Sequence, residues 1–169
     1  MQTPQLKSGY SVVEIIIYVA VFAVVSIIIA NAFIVLVSFF NQSRTNHNLL
    51  QSGNTALERM SREIHTATAI RTSTSTFGSS PGVLDLDSTD ANGNAQTVKF
   101  NMASGALNLS YNNTLVDNML PPNVVVTSLI FYKTTTTNGP SVKIEMALQD
   151  TQDKSGLTEQ FYNVTALAK

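Results

Sequence analysis

The chain has no cysteine, and only 12% of its 169 residues are charged. The first absence excludes a disulfide scaffold, a thiolate zinc site and a cysteine nucleophile together. The second puts it at about half the charge content of an ordinary soluble protein. With a net charge of -1 there is no surplus of Lys and Arg to neutralise phosphates, so no nucleic-acid partner is expected. Proline is also missing between Tyr10 and residue 80, which leaves room for a long uninterrupted helix. The charge deficit is local: residues 1–43 carry only Lys7 and Glu14, and the other 19 charges fall in the remaining 126 residues.

What occupies the front instead is apolar. From Ile15 to Ser43 run 29 residues without a charge, and Ile15 to Phe40 is almost wholly Ile, Val, Ala and Phe, interrupted by Ser26, Asn31 and Ser38. About 20 apolar residues cross the hydrocarbon core of a bilayer as a helix. A helix apolar on all sides for this length is rare outside membranes. The segment is therefore expected to span a membrane once. Lys7 ahead of the span favours a cytoplasmic N-terminus, with the chain from about residue 44 outside. An ordinary cleavable signal, cut near Ala30-Asn31-Ala32, is the competing reading. Such signals have an apolar region of about 7 to 15 residues, and this run is about twice that.

Glu14 stands at the lip of the run. A carboxylate at mid-membrane costs about 2.5–3.5 kcal/mol and less near the interface, so something should neutralise it. The neighbourhood reads Lys7-Ser8-Gly9-Tyr10-Ser11-Val12-Val13-Glu14. It resembles the prepilin cleavage site of type IV pilins and type II secretion pseudopilins, in which a short polar leader ends in Gly. An aromatic first mature residue follows, then Ser or Thr, then Glu at the fifth position before a long apolar helix. Gly9, Tyr10, Ser11 and Glu14 match residue by residue; the departure is Tyr10, where the family most often has Phe. The resemblance implies that a prepilin peptidase cuts after Gly9 on the cytoplasmic side and methylates the new amine of Tyr10. It further implies that Glu14 pairs in an assembled filament with the Tyr10 amine of a neighbouring subunit. The implied partners are the prepilin peptidase, other pilins or pseudopilins, a membrane assembly platform, and the lipid bilayer before assembly.

Past Arg44 the pattern becomes amphipathic. Leu50, Gly53, Leu57, Met60, Ile64 and Ala67 recur at steps of three and four, one face of a helix expected to continue to about Ile70. Glu58 with Arg62, and Arg59 with Glu63, are opposite charges four apart. Gly53 is a weak point, at up to about 1 kcal/mol in a helix interior. The stretch Ala56 to Ile64 resembles the corresponding helix of J-type minor pseudopilins. Thr72 to Gly82 is rich in Ser, Thr and Gly and breaks the helix.

Thereafter the period is two. Val142, Ile144, Met146 and Leu148 alternate with Lys143, Glu145, Ala147 and Gln149 as a half-buried strand. Val98, Phe100 and Met102 face Leu107, Leu109 and Tyr111 across Ala103-Ser104-Gly105-Ala106, a hairpin. Val83 to Asp87, Val124 to Tyr132 and Glu159 to Leu167 are further strands, and Thr134 to Gly139 reads as a polar loop. The expected fold is α+β, a long N-terminal helix with an antiparallel sheet laid on its amphipathic half. The organisation is a leader at 1–9, an apolar helix at 10–43, its amphipathic continuation at 44–71, and a sheet head at 72–169. From Thr72 onward 5 basic and 8 acidic residues make the head mildly acidic.

No catalytic constellation is visible, so an enzyme is not expected. His47 and His65 lie 18 residues apart on the helix, too far to share a metal. Asp85 to Asn94 is rich in oxygen ligands, but no frame in it matches a calcium loop. It reads as an Asx-rich turn, with calcium the lesser alternative and otherwise no cofactor. The sequence thus points to a non-enzymatic filament subunit, a minor pseudopilin of a type II secretion system. A minor type IV or competence pilin is the near alternative. The distant one is a signal-anchored single-span membrane protein with an extracytoplasmic binding domain.

Overall fold

The structure is a computed structural model that describes residues 11–136, 139–152 and 156–167. Among the described residues there is one helix, α1 (Val12–Thr66), followed by eight strands: β1 (Ala69–Ile70), β2 (Val83–Thr89), β3 (Ala95–Ala103), β4 (Ala106–Tyr111), β5 (Thr114–Asn118), β6 (Val124–Thr136), β7 (Gly139–Asp150) and β8 (Thr158–Ala166). The chain divides into two compact units, one up to Ser43 and one from Arg44 onward.

The first unit is helix. No side chain between Ser11 and Ser43 is buried, and the mean hydropathy of its most apolar window is 2.9, enough to cross a membrane once. Ser26 and Ser38 return their hydroxyls to the carbonyls of Phe22 and Ile34, at 2.8 and 3.0 Å. Such i to i−4 bonds let a hydroxyl sit in an apolar helix without an unmet donor.

The second unit is α+β, with two antiparallel sheets packed on the helix from Leu49 onward. The expectation of one sheet is corrected here: β1 to β5 form one in sequence order, and β6, β7 and β8 form another. The reason lies between β5 and β6, where Pro121 and Pro122 lack the N–H needed to continue a ladder. The edge of β6 that faces the first sheet is met by that sheet's own loops. The Gly78 and Gly82 N–H groups donate to the carbonyls of Phe131 and Leu129, and the Val126 N–H donates to that of Gly105. A Cβ at Gly82 would lie 2.9 Å from the Leu129 carbonyl, so only glycine permits that approach.

The helix buries Leu49, Gly53, Ala56, Leu57, Met60 and Ile64. Leu50, expected on this face, is instead exposed while Leu49 is wholly buried, because at 100° per residue Leu50 falls on the edge of the stripe centred on Gly53, Met60 and Ile64. At Gly53 the Phe161 ring of β8 lies against the helix, and a Cβ there would overlap that ring. The helix also stops at Thr66 rather than near Ile70. The Thr66 hydroxyl donates to the Arg62 and Glu63 carbonyls, and the Thr68 N–H and hydroxyl both go to the Asp87 carbonyl. The free edge of β2 thus outcompetes a further helical turn, and Ala69–Ile70 pairs with Asp87 and Leu86.

The β3–β4 hairpin has the expected register, Val98 to Tyr111, Phe100 to Leu109 and Met102 to Leu107. Ser104 and Gly105 carry φ of 51° and 80°, the two left-handed residues of a type I′ turn. Asn112 and Asn113, at 51° and 62°, make a second such turn into β5. That strand went unforeseen, since all five of its residues are exposed and show no alternation. The polar stretch read as a loop is mostly ladder, with Thr134 opposite Ser141 and Thr135 opposite Pro140. Thr137 and Asn138 lie outside the described residues.

Candidate functional site

The first candidate is the start of α1. Gly9 and Tyr10, with the rest of the expected leader, lie outside the described residues. Ser11 is exposed and not helical; its carbonyl accepts from the Glu14 and Ile15 N–H groups, at 3.0 and 3.2 Å. Glu14 therefore sits in the first turn, where the positive end of the helix dipole favours an acid. It is half-buried against its own helix, and the Tyr18 hydroxyl donates to its Oε1 at 2.8 Å. Sequence reasoning missed Tyr18, four residues on from Glu14. The i,i+4 rule alone could have found it.

The second candidate, Asp85 to Asn94, does not act as one loop. Asp85 and Asp87 belong to β2, on the face opposite buried Leu84, Leu86 and Ser88. The cation beside them is Arg71, whose Nε lies 3.1 Å from Asp87 Oδ1 and whose Nη1 lies 3.8 Å from Asp85 Oδ2. Thr74 donates to the same Asp85 oxygen at 2.7 Å. Asp85 Oδ1 is buried with no partner among the described residues. Asp90 alone organises the turn. Its Oδ1 accepts from the Asn92 and Asn94 N–H groups, and its Oδ2 from the Asn94 side chain. Hydrogen bonds from Asn94 first, then from Asn92, hold its carboxyl below the usual range. The bonded carboxylate oxygens of the stretch thus go to Arg71, to Thr74 and to the turn's own Asn92 and Asn94, with Asp85 Oδ1 left apart from them.

Elsewhere the polar groups staple the second unit together. Tyr111 donates to Glu63 at 2.7 Å, Arg59 approaches the same carboxylate at 3.3 Å, and Arg59 donates to the Tyr111 oxygen at 3.4 Å. Burial foremost, with the Glu63 carboxylate adding and Arg59 opposing, raises the Tyr111 hydroxyl above its ordinary value. Neither residue pair was foreseen beyond Arg59 with Glu63, since Tyr111 is 48 residues from Glu63. His65 reaches the Ala166 carbonyl through Nδ1 at 3.3 Å, and His47 is exposed. Among the described residues, no group of three or more His, Asp or Glu is arranged to hold a metal.

Comparison with known proteins brings no relative to this geometry: no family model matches the chain, nor does any curated protein or any solved structure.

Proposed function

We propose that this chain is a structural, non-enzymatic subunit of a type IV pilus-like filament, a minor pseudopilin of a type II secretion system. In this reading the apolar helix holds the subunit in the cytoplasmic membrane, N-terminus inside and head outside. A prepilin peptidase then cuts after Gly9 and methylates Tyr10. The observation that carries the reading is an acid, Glu14, in the first turn of a helix whose apolar side chains from Val12 to Phe40 are all exposed. Those side chains need hydrocarbon or other helices around them. A simple lipid anchor accounts for the apolar surface and has no use for the acid; a filament core, in which a neighbour's amine meets Glu14, accounts for both. A head that closes its own core also suits a subunit added as a finished unit.

Processing is tested by intact-mass spectrometry of protein from cells that hold the peptidase. The expected mass lacks residues 1–9 and gains one methyl, whereas a mature N-terminus after Ala32 would restore an ordinary signal peptide. Assembly is tested by crosslinking or pull-down of other pilins with wild type against Glu14→Val. Breaking one half of a buried ion pair costs about 3–5 kcal/mol, so Glu14→Val should lose its partners while insertion and cleavage persist. Equal recovery by both proteins would favour the signal-anchored single-span alternative.

A further inference from the structure

Glu14 and Tyr18 stand one turn apart on the same face of α1, joined by the 2.8 Å bond from the phenol to Oε1. From Val12 to Val25 every other side chain is Val, Ile, Ala or Phe. Among the described residues Tyr18 is the one side chain that bonds the Glu14 carboxylate, and it does so at Oε1. Tyr18 is itself 57% exposed, so its ring faces whatever surrounds the helix. In hydrocarbon a hydroxyl and a carboxylate are each costly when alone, and each here relieves the other.

We propose that Tyr18 is a positioning residue for Glu14: its hydroxyl holds Oε1 against the helix, so that a lone subunit keeps the carboxylate below headgroup level with Oε2 open to a cation from another chain. The inference rests on the membrane-embedded reading above. Without the hydroxyl, the carboxylate must find its donors in water and headgroups, and the first turns of the helix shift outward with it.

Because the chain has no cysteine, a single introduced thiol reports depth. The full chain carrying Ile17→Cys is placed in phosphatidylethanolamine–phosphatidylglycerol vesicles, with a water-soluble maleimide on both faces. Tyr18→Phe keeps the ring and removes only the oxygen. It should speed Ile17→Cys labelling about threefold, the size of an average polar side-chain bond in a membrane. In the Glu14→Val background Tyr18→Phe should bring no acceleration, which a merely structural loss would not reproduce. No acceleration with Glu14 present, or equal acceleration in both backgrounds, would overturn the assignment. Ile27→Cys, at mid-span, separates the two failures. Slow labelling there with no Glu14–Tyr18 coupling overturns the role of Tyr18 alone. Labelling as fast as at Arg44→Cys overturns the membrane reading and this proposal with it.

Discussion

The two ends of α1 share one backbone and have opposite relations to their surroundings. Between Val12 and Phe40 every large apolar side chain is exposed, from 43% at Val37 to 73% at Phe22, whereas Leu49, Met60 and Ile64 are at 0%. Propensity cannot account for this, because Leu, Met and Ile suit either half. The difference is the interleaving. After Arg44 the apolar residues keep to one stripe, with Glu58, Arg59, Arg62 and Glu63 beside it, and one stripe is all that two sheets can cover. Before Ser43 the apolar residues go all the way round, which no single protein layer can cover.

The largest break in this comparison should come from the head. The fragment 44–169 is expected to be a soluble, folded monomer, and Phe131→Ala in it should cost about 3–5 kcal/mol in denaturant unfolding, since Phe131 is wholly buried. Phe22→Ala in the full chain should leave the head's unfolding midpoint where it was. The converse is Ile27→Arg, which should weaken membrane insertion by about 2.5–3.5 kcal/mol in an insertion assay and not touch the head.

A smaller effect sharpens the account of the buried stripe. Gly53→Ala should gain up to about 1 kcal/mol of helix propensity against about 1–3 kcal/mol of overpacking, a net loss of up to about 2 kcal/mol for the head, because the added methyl overlaps the Phe161 ring. Net stabilisation in a thermal melt would mean that β8 yields freely at this point. Tyr111→Phe comes next, at about 1–2 kcal/mol for its bond to Glu63. It also carries a pH signature. The folded-state value of Tyr111 lies above its unfolded value of 10.0, so its contribution is fully present below about pH 10 and is lost as pH rises through the folded value. Tyr111→Phe should therefore flatten the alkaline fall in the head's stability measured against pH. The smallest effect belongs to Glu58→Ala. Its pair with Arg62 has side chains 74% and 66% exposed, and its loss should stay below about 0.5 kcal/mol and vanish in high salt.

Local rules made a good part of this legible. The apolar run, the face carrying Met60 and Ile64, and the hairpin at Ser104-Gly105 each depend on residues within a few positions of one another, so their spacing carries them. The Glu14–Tyr18 bond is equally local, two residues four apart on one helix face. Asp85 and Asp90 misled as one oxygen-rich loop, since alternation along β2 sends Asp85 and Asp87 to Arg71 while Asp90 closes the turn.

What the amino-acid order determined by itself was therefore which stretches need apolar surroundings, which face of the helix turns inward, and where a tight turn can form. Only the tertiary structure decided that the helix ends at Thr66, that the strands divide into two sheets, and that Gly53 is a contact with β8 rather than a weak point. Each of these depends on a partner distant in sequence: the Asp87 carbonyl for Thr68, the edge of β6 for the loop at Gly78 to Gly82, and the Phe161 ring for Gly53. A backbone donor or a vacant helix face takes whichever partner the fold brings to it, and no periodicity along the chain records which one that will be.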